Sequence, residues 1–195
     1  MAETLEEKIR RVLREDVAIS GYHPAWPEMF RNEKEHLLKC LPSGLIRRIE
    51  HYGSTAVPGL AAKPIIDMLV EVTDLDETKT KVVPILETQG YDYFWRPTWG
   101  DDVPPFYAWF IKRDLDTGVR SHHIHMITGS PEFAPHWDAL LFRDYLIEHP
   151  QVASEYEHLK RRLAETHPND RVAYTSGKSE FVSRVTRQTK RLRRE

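Results

Sequence analysis

Cysteine is almost missing from this chain: Cys40 is the single one in 195 residues. One thiol excludes an internal disulfide framework and any zinc finger built from several cysteines. Long apolar runs are missing as well. The most apolar stretch, 65–72 (IIDMLVEV), already carries Asp67 and Glu71, and nothing approaches the ~20 apolar residues of a membrane span. The first sixteen residues hold four Glu, three Arg and a Lys before any apolar run, the reverse of a secretory leader. No repeat period and no low-complexity tract occurs. Excess charge is missing too: 28 Lys and Arg face 30 Asp and Glu, for a net charge of −2. The chain as a whole therefore has no general attraction to nucleic acid. These absences leave a soluble, cytoplasmic globular protein of one large domain or two small ones. A chain this long buries roughly 70% of its unfolded surface without covalent staples. The unusual abundance is histidine, with ten residues.

Apolar spacing sets the expected elements. Leu5, Ile9, Val12 and Leu13 follow i, i+4, i+7, i+8 spacing, and Thr4 with Glu7 reads as a capping box. This predicts an extra amphipathic helix within 1–16, docked on the domain or on a second copy. An extended segment over 17–22 and a helix over 27–41 follow. Strands are expected over 45–52 and 65–72, joined by a turn at Gly53-Ser54-Thr55 and a small-residue connection over 57–64. A helix over 75–89 closes at Gly90. Strands over 91–96, 106–113 and 120–127 flank a loop at 97–105, with 106–127 as a hairpin. From 135 onward the pattern is helical, with breaks near 149–150 and 167–169. Strands first and helices last give an α+β plan, a mixed sheet in one domain over 17–195.

Three features carry chemistry. Gly53-Ser54 is followed thirteen residues later by Asp67. A Gly-Ser turn leaving a strand presents N–H groups and a hydroxyl to a phosphate, and a carboxylate on the neighbouring strand can hold a bridging divalent cation. Period two puts Asp67, Leu69 and Glu71 on one strand face. The same residues equally fit a plain turn and a buried acceptor. The second feature is the run 120–125, RSHHIH, in which His123 and His125 share a face. Beside Asp67 they form a candidate metal or general-base site, and imidazole favours Zn²⁺, Mn²⁺ or Fe²⁺ over Mg²⁺; otherwise they are ordinary half-buried strand residues. The third is basic. Over 170–195, eight Lys and Arg against three acids leave +5, so the remainder carries −7. That end is either a solvated helix face or an attraction for polyphosphate or RNA. Lys160 and Lys178 are read as helical and turned toward the sheet. Lys63, just before the Asp67 strand, is the better placed for a phosphate, and all three also fit surface lysines with buried stems. Tyr22, Trp26 and Phe30 read as a core or docking stripe. Trp95, Trp99, Phe106, Tyr107 and Trp109 gather around the 97–105 loop, as core or as a base-stacking wall.

The stretch HYGSTAVPGLAAKPIIDMLVEV, residues 51–72, resembles the signature of the GrpB family. Further matching pieces are YHPAWPEMF (22–30), HIHMI (123–127), FRDYLIEHP (142–150), YEHLKRRLA (156–164) and YTSGKSEFV (174–182). The resemblance covers about 17–185. It implies the nucleotidyltransferase fold of polymerase-beta-like enzymes, in which a Gly-Ser turn cradles a nucleotide triphosphate and strand acids bind divalent cations. Gly53, Ser54 and Asp67 stand at the matching positions. Leu69 occupies the place of the second acid, and His123 or His125 that of the later-strand acid. The resemblance thus implies phosphate contacts from Gly53, Ser54, Thr55, Lys63, Lys160 and Lys178. It also implies a divalent ion (Mg²⁺, Mn²⁺ or Zn²⁺) on Asp67, His123 and His125, serving nucleotidyl transfer or phosphate-ester cleavage of a nucleotide or phosphorylated small molecule. The alternative is a non-catalytic ligand-binding or protein-assisting module, since members of the family occur fused to dephospho-CoA kinase.

Overall fold

The computed structural model describes residues 4–13, 17–98, 102–114 and 116–193. Five strands form one mixed sheet: β1 (Ile46–Tyr52), β2 (Ile66–Val72), β3 (Asp92–Pro97), β4 (Phe106–Arg113) and β5 (Arg120–Ile127), in the order β1-β2-β5-β4-β3. β2 and β5 pair in parallel, and the other three pairings are antiparallel. The 106–127 hairpin is present as β4 and β5. The parallel pairing is decisive for the site, because it sets Asp67 beside His123 and Leu69 beside His125.

One face of the sheet packs on α2 (Trp26–Cys40) and on the helical stretch 75–88. Ile66, Met68, Val70, Phe110, Ile124 and Met126 fill that core with Trp26 and Leu37. Tyr22 and Phe30 flank Trp26 as partly buried packing residues, so the aromatic stripe is core. The stretch expected as one helix over 75–89 is broken into α3 (Leu75–Glu77), a π turn at Thr78–Val82 and α4 (Val83–Thr88). Pro84 is the cause: it has no N–H for the carbonyl of Thr80 and its ring crowds that carbonyl, so a wider turn takes up the misfit. Within the segment 17–22, Ser20 forms an isolated antiparallel bridge to Ala62.

The opposite face is covered in part by α1 (Leu5–Leu13) and by the C-terminal helices α5 (Ala134–Glu148), α6 (Pro150–Thr166), α7 (Arg171–Ser176) and α8 (Ser179–Leu192). Breaks fall where proline and the His149 and His167 caps place them. The Thr4–Glu7 capping box forms: the Thr4 N–H donates to Glu7 Oε2 at 2.8 Å and the Glu7 N–H to Thr4 Oγ1 at 3.3 Å. Of the two seats left open for α1, the domain itself is occupied. Arg11 donates two hydrogen bonds to Asp92, both 2.9 Å, Arg113 donates a third at 3.1 Å, and buried Arg120 donates to the Val12 carbonyl. Arg11 is 36% exposed, so its pair contributes about 1 kcal/mol or less; Val12, 6% exposed, is the apolar anchor. The side chains of Leu5 and Leu13 lie outside the described residues. Among the described residues no helix is long and apolar enough to cross a membrane.

Candidate functional site

The site is built from the turn after β1 upward. Gly53 adopts φ +73° and ψ −174°, a conformation essentially reserved for glycine. A Cβ there would stand 2.5 Å from Asp67 Oδ2. The turn therefore needs glycine because the acid of β2 lies directly against it. Ser54–Ala56 is a single 3-10 turn. The Thr55 hydroxyl is committed inward, donating to the Ile65 carbonyl at 3.3 Å and accepting from His51 Nε2 at 3.0 Å. Burial pushes His51 down to about 4, so it is the neutral donor in that contact, stacked on Phe30. Ser54 and Tyr156 of α6 line the same small pocket.

Asp67 is the centre. Its side chain is 30% exposed, and its Oδ1 lies 3.1 Å from His123 Nδ1. Burial alone would raise its pKa; the hydrogen bond from His123 and the nearby Lys63 charge outweigh that and hold it below the usual carboxylate range. Burial pushes His123 down to about 4 against the pull of Asp67. At neutral pH the pair is thus a carboxylate with a neutral imidazole donating from Nδ1. His123 Nε2 faces Arg120 Nη1 at 3.5 Å, which fixes the tautomer: that nitrogen accepts. A chain of contacts thereby runs from Asp67 through His123 and Arg120 to the backbone of α1. His125 shares the strand face and is wedged among the rings of Tyr52, Tyr107 and Trp109, 5.5–6.0 Å away. Its Nδ1 and the neighbouring Trp109 Nε1 are buried without a hydrogen-bond partner among the described residues.

These residues line one cleft of about 1030 Å³, which also holds Ser54, Thr55, Lys63, Lys160 and Lys178. Eight of the nine expected site residues meet there. The ninth, Gly53, lies behind Asp67 and faces a smaller pocket of about 160 Å³. Lys63 and Lys178 place their ammoniums over the ring of Tyr174, 5.2 and 4.4 Å from its centroid. Burial lowers Lys63 to about 7, with Arg171 and Lys178 adding to the effect; burial lowers Lys178 to about 8. Lys160 is fully buried over the Tyr156 ring, donates to the Ala61 carbonyl, and is lowered to about 7 by burial. Its partner Glu157 accepts from the Ala61 N–H at 2.9 Å, so α6 grips the 57–64 connection at both backbone groups of one residue. Lys160 sits within a helix as expected, whereas Lys178 is the residue preceding α8. Ile9 and Val12 of the N-terminal apolar stripe complete the cleft with Arg96, Arg171 and Tyr174, which local patterns do not single out.

The other candidates divide. Glu71 is turned to Arg48, 3.3 Å away, and belongs to the sheet rather than to the cleft. Tyr107 and Trp109 are buried and line the cleft wall; Trp99 lies outside the described residues. The basic segment is partly accounted for. Arg171 and Lys178 line the cleft, while Arg184, Lys190 and Arg193 pair with Glu155, Asp138 and Asp144 at 4.0, 2.5 and 3.4 Å; Arg194 and Glu195 lie outside the described residues. Among the described residues no three or more His, Cys, Asp or Glu side chains are grouped so as to hold a metal ion. Asp67 is engaged by His123, and His125 is turned among rings, so this donor set does not fit the divalent centre expected on Asp67, His123 and His125.

Comparison with known proteins agrees with this architecture. The model of the family described as "GrpB protein" matches residues 16–188. The UPF0157 protein YqkA of Bacillus subtilis (strain 168) is 38% identical over 179 residues, 91% of this chain and 48% of that protein. The chain thus spans about half the length of that relative. The Glutamate-rich protein GrpB of Alkalihalophilus pseudofirmus is 34% identical over 172 residues, 87% of this chain and 94% of that protein. The crystal structure of conserved protein GrpB from Enterococcus faecalis superposes with a TM-score of 0.76 at 30% identity, covering 91% of this chain and all of that one.

Proposed function

The chain belongs to the GrpB family, and we propose that its cleft binds a nucleotide or a related phosphorylated ligand. One observation carries the reading. Among the described residues the cleft is lined by five basic side chains (Lys63, Lys160, Lys178, Arg96 and Arg171) and two acids (Asp67 and Asp102). Cations drawn out of water in that excess are costly unless an anion meets them. A phosphate offers several acceptor oxygens and at least one full negative charge, and each charge-assisted bond is about twice as strong as a neutral one. The wall beside the cations is aromatic. Arg96 lies over the Trp109 ring, 4.8 Å from its centroid, next to Tyr107, a surface on which a planar base can stack. In the nucleotidyltransferase fold that the resemblance implies, a Gly-Ser turn holds nucleotide phosphate, and Ser54 of the matching turn lines this cleft, which supports the same orientation.

Transfer at phosphorus adds one need, a base for the attacking oxygen. Asp67, ionised, partly exposed to the cleft and oriented by His123, is the group that meets it. Calorimetric titration with ATP tests binding. Lys178→Met removes one charge-assisted contact worth roughly 1.5–3 kcal/mol, so affinity falls by roughly 10- to 150-fold with the fold retained. Unchanged affinity would reject the cleft as the site. Asp67→Asn separates the two modes of use: turnover lost with binding kept marks an enzyme, turnover intact removes the base assignment, and binding without turnover in the parent protein leaves a ligand-binding module.

A further inference from the structure

We infer that the cleft takes its phosphorylated ligand as the bare anion, without a divalent cation, and that Lys63, Lys178 and Arg171 supply the countercharge. The inference rests on the ligand-binding reading above and adds the ionic form of the ligand.

Three observations support it. The first is the donor set. A cation bridging phosphate oxygens usually takes one or two carboxylates from the protein beside the phosphates, and among the described residues no three or more His, Cys, Asp or Glu side chains are grouped around Asp67 to complete such a site. The second is what fills the positions from which further ligands would come. Leu69 is fully buried next on the same face. His123 has both nitrogens engaged, Nδ1 on Asp67 and Nε2 toward Arg120. The third is the arrangement of positive charge. Lys63 and Lys178 stand over one ring, that of Tyr174, and Arg171 influences both ammoniums. Asp67 is the acid whose charge reaches the two lysines. A divalent ion at Asp67 would add two positive charges among groups that already repel one another. A phosphate brings the opposite charge to the same place. The ring of Tyr174, 1% exposed, offers its electron-rich surface to both ammoniums, so the lysines are held in place before the ligand arrives.

Metal and protein therefore compete for the same phosphate oxygens. Mg²⁺ chelated to ATP removes two negative charges and occupies the oxygens that the lysines would reach. The full chain should be titrated calorimetrically with ATP and, separately, with pyrophosphate, once in EDTA and once in excess MgCl₂, at matched ionic strength. Both probes are expected to bind in EDTA, and Mg²⁺ is expected to weaken each by fivefold or more. The double variant Lys63→Met/Lys178→Met should lose at least tenfold in EDTA and lose the Mg²⁺ effect. Lys63→Arg should keep both, which separates charge from folding. Binding that requires Mg²⁺, tightens with it, or is equal in the two buffers overturns the inference and leaves the phosphate reading standing. Failure of both probes in both buffers overturns the phosphate reading, and this inference with it.

Discussion

The two faces of the sheet both bury charge, and they do so differently. On the α2 face, Glu33 is 2% exposed, accepts from the Tyr91 hydroxyl at 2.5 Å through Oε1, and is paired with Lys112 through Oε2. One acid meets one cation and one hydroxyl among packed aliphatic side chains, and the site is closed. On the opposite face Asp67 meets His123 and the charges of Lys63 and Lys178, in a cleft of about 1030 Å³ where, among the described residues, basic side chains outnumber acids. A balanced polar group specifies packing; an unbalanced one beside empty volume is suited to a ligand. Buried charge alone does not distinguish structure from function here. Charge balance and free space do.

The comparison can be broken from either side. The largest effect belongs to the closed face. Glu33→Gln leaves Lys112 without its carboxylate; breaking a buried pair costs roughly 3–5 kcal/mol, and the partial exposure of Lys112 (34%) puts the loss near the lower end. Chemical denaturation should show it, with ATP affinity unchanged. A change in affinity would mean that the two faces are coupled. Next is Gly53→Ala, which forces a side chain into a glycine-only conformation and against Asp67. Strain and overlap together predict a loss of roughly 2–4 kcal/mol. Denaturation and ATP titration should both register it, since the turn and the acid move as one. A neutral outcome in both would show that the turn is not pressed on Asp67.

pH separates the faces more gently. Lys63, Lys160 and Lys178 are depressed to about 7, 7 and 8 in the folded protein, against ~10.4 in an unfolded chain. Between pH 7 and about 9 the unfolded chain holds more protons on these amines, so their contribution to stability rises with pH. A bound anion pulls the same amines back toward the charged form. Binding near pH 8 should therefore take up protons, visible as a dependence of the calorimetric heat on buffer ionisation, and affinity should fall by about tenfold or more from pH 7 to pH 9. No proton uptake would remove the lysines from the binding site. The smallest effect is expected at α1. Ile9 lines the cleft and is 42% exposed. Ile9→Ala should weaken ATP by about fivefold at most, roughly 1 kcal/mol of apolar contact, and leave pyrophosphate unaffected. Equal loss for both would place α1 at the phosphate end.

Much of the candidate site was legible before any coordinates. The Gly53-Ser54 turn, Asp67 on the far face of its strand, and His123 with His125 on one face all follow from period two and from turn chemistry. What local pattern missed is instructive. Arg171 and Tyr174 sit on a six-residue helix with no amphipathic stripe of its own, and Arg96 ends an ordinary strand. Nothing local marks them as a set, because Tyr174 meets Lys63 from 111 residues earlier and Arg96 meets Trp109 on another strand. The Asp67–His123–His125 metal set was the converse case. The residues share a region, but a hydrogen bond inside the pair and the rings around His125 leave them arranged for something other than coordination.

The sequence by itself determined the α+β plan, most element positions, the extra N-terminal helix with its capping box, and the glycine that the Asp67 turn requires. Those features depend on neighbours within a few residues, where backbone sterics and side-chain period act directly. The tertiary structure decided which strand lies beside which, where α1 docks, and that Lys63, Lys178 and Arg171 surround one tyrosine. Such juxtapositions depend on contacts across the whole chain, and solvation by a shared cavity is a property of the folded surface that no short stretch of sequence contains. Near-neutral net charge, at −2, concealed a cleft in which, among the described residues, five basic side chains face two acids, because charge is counted along the chain but balanced in space.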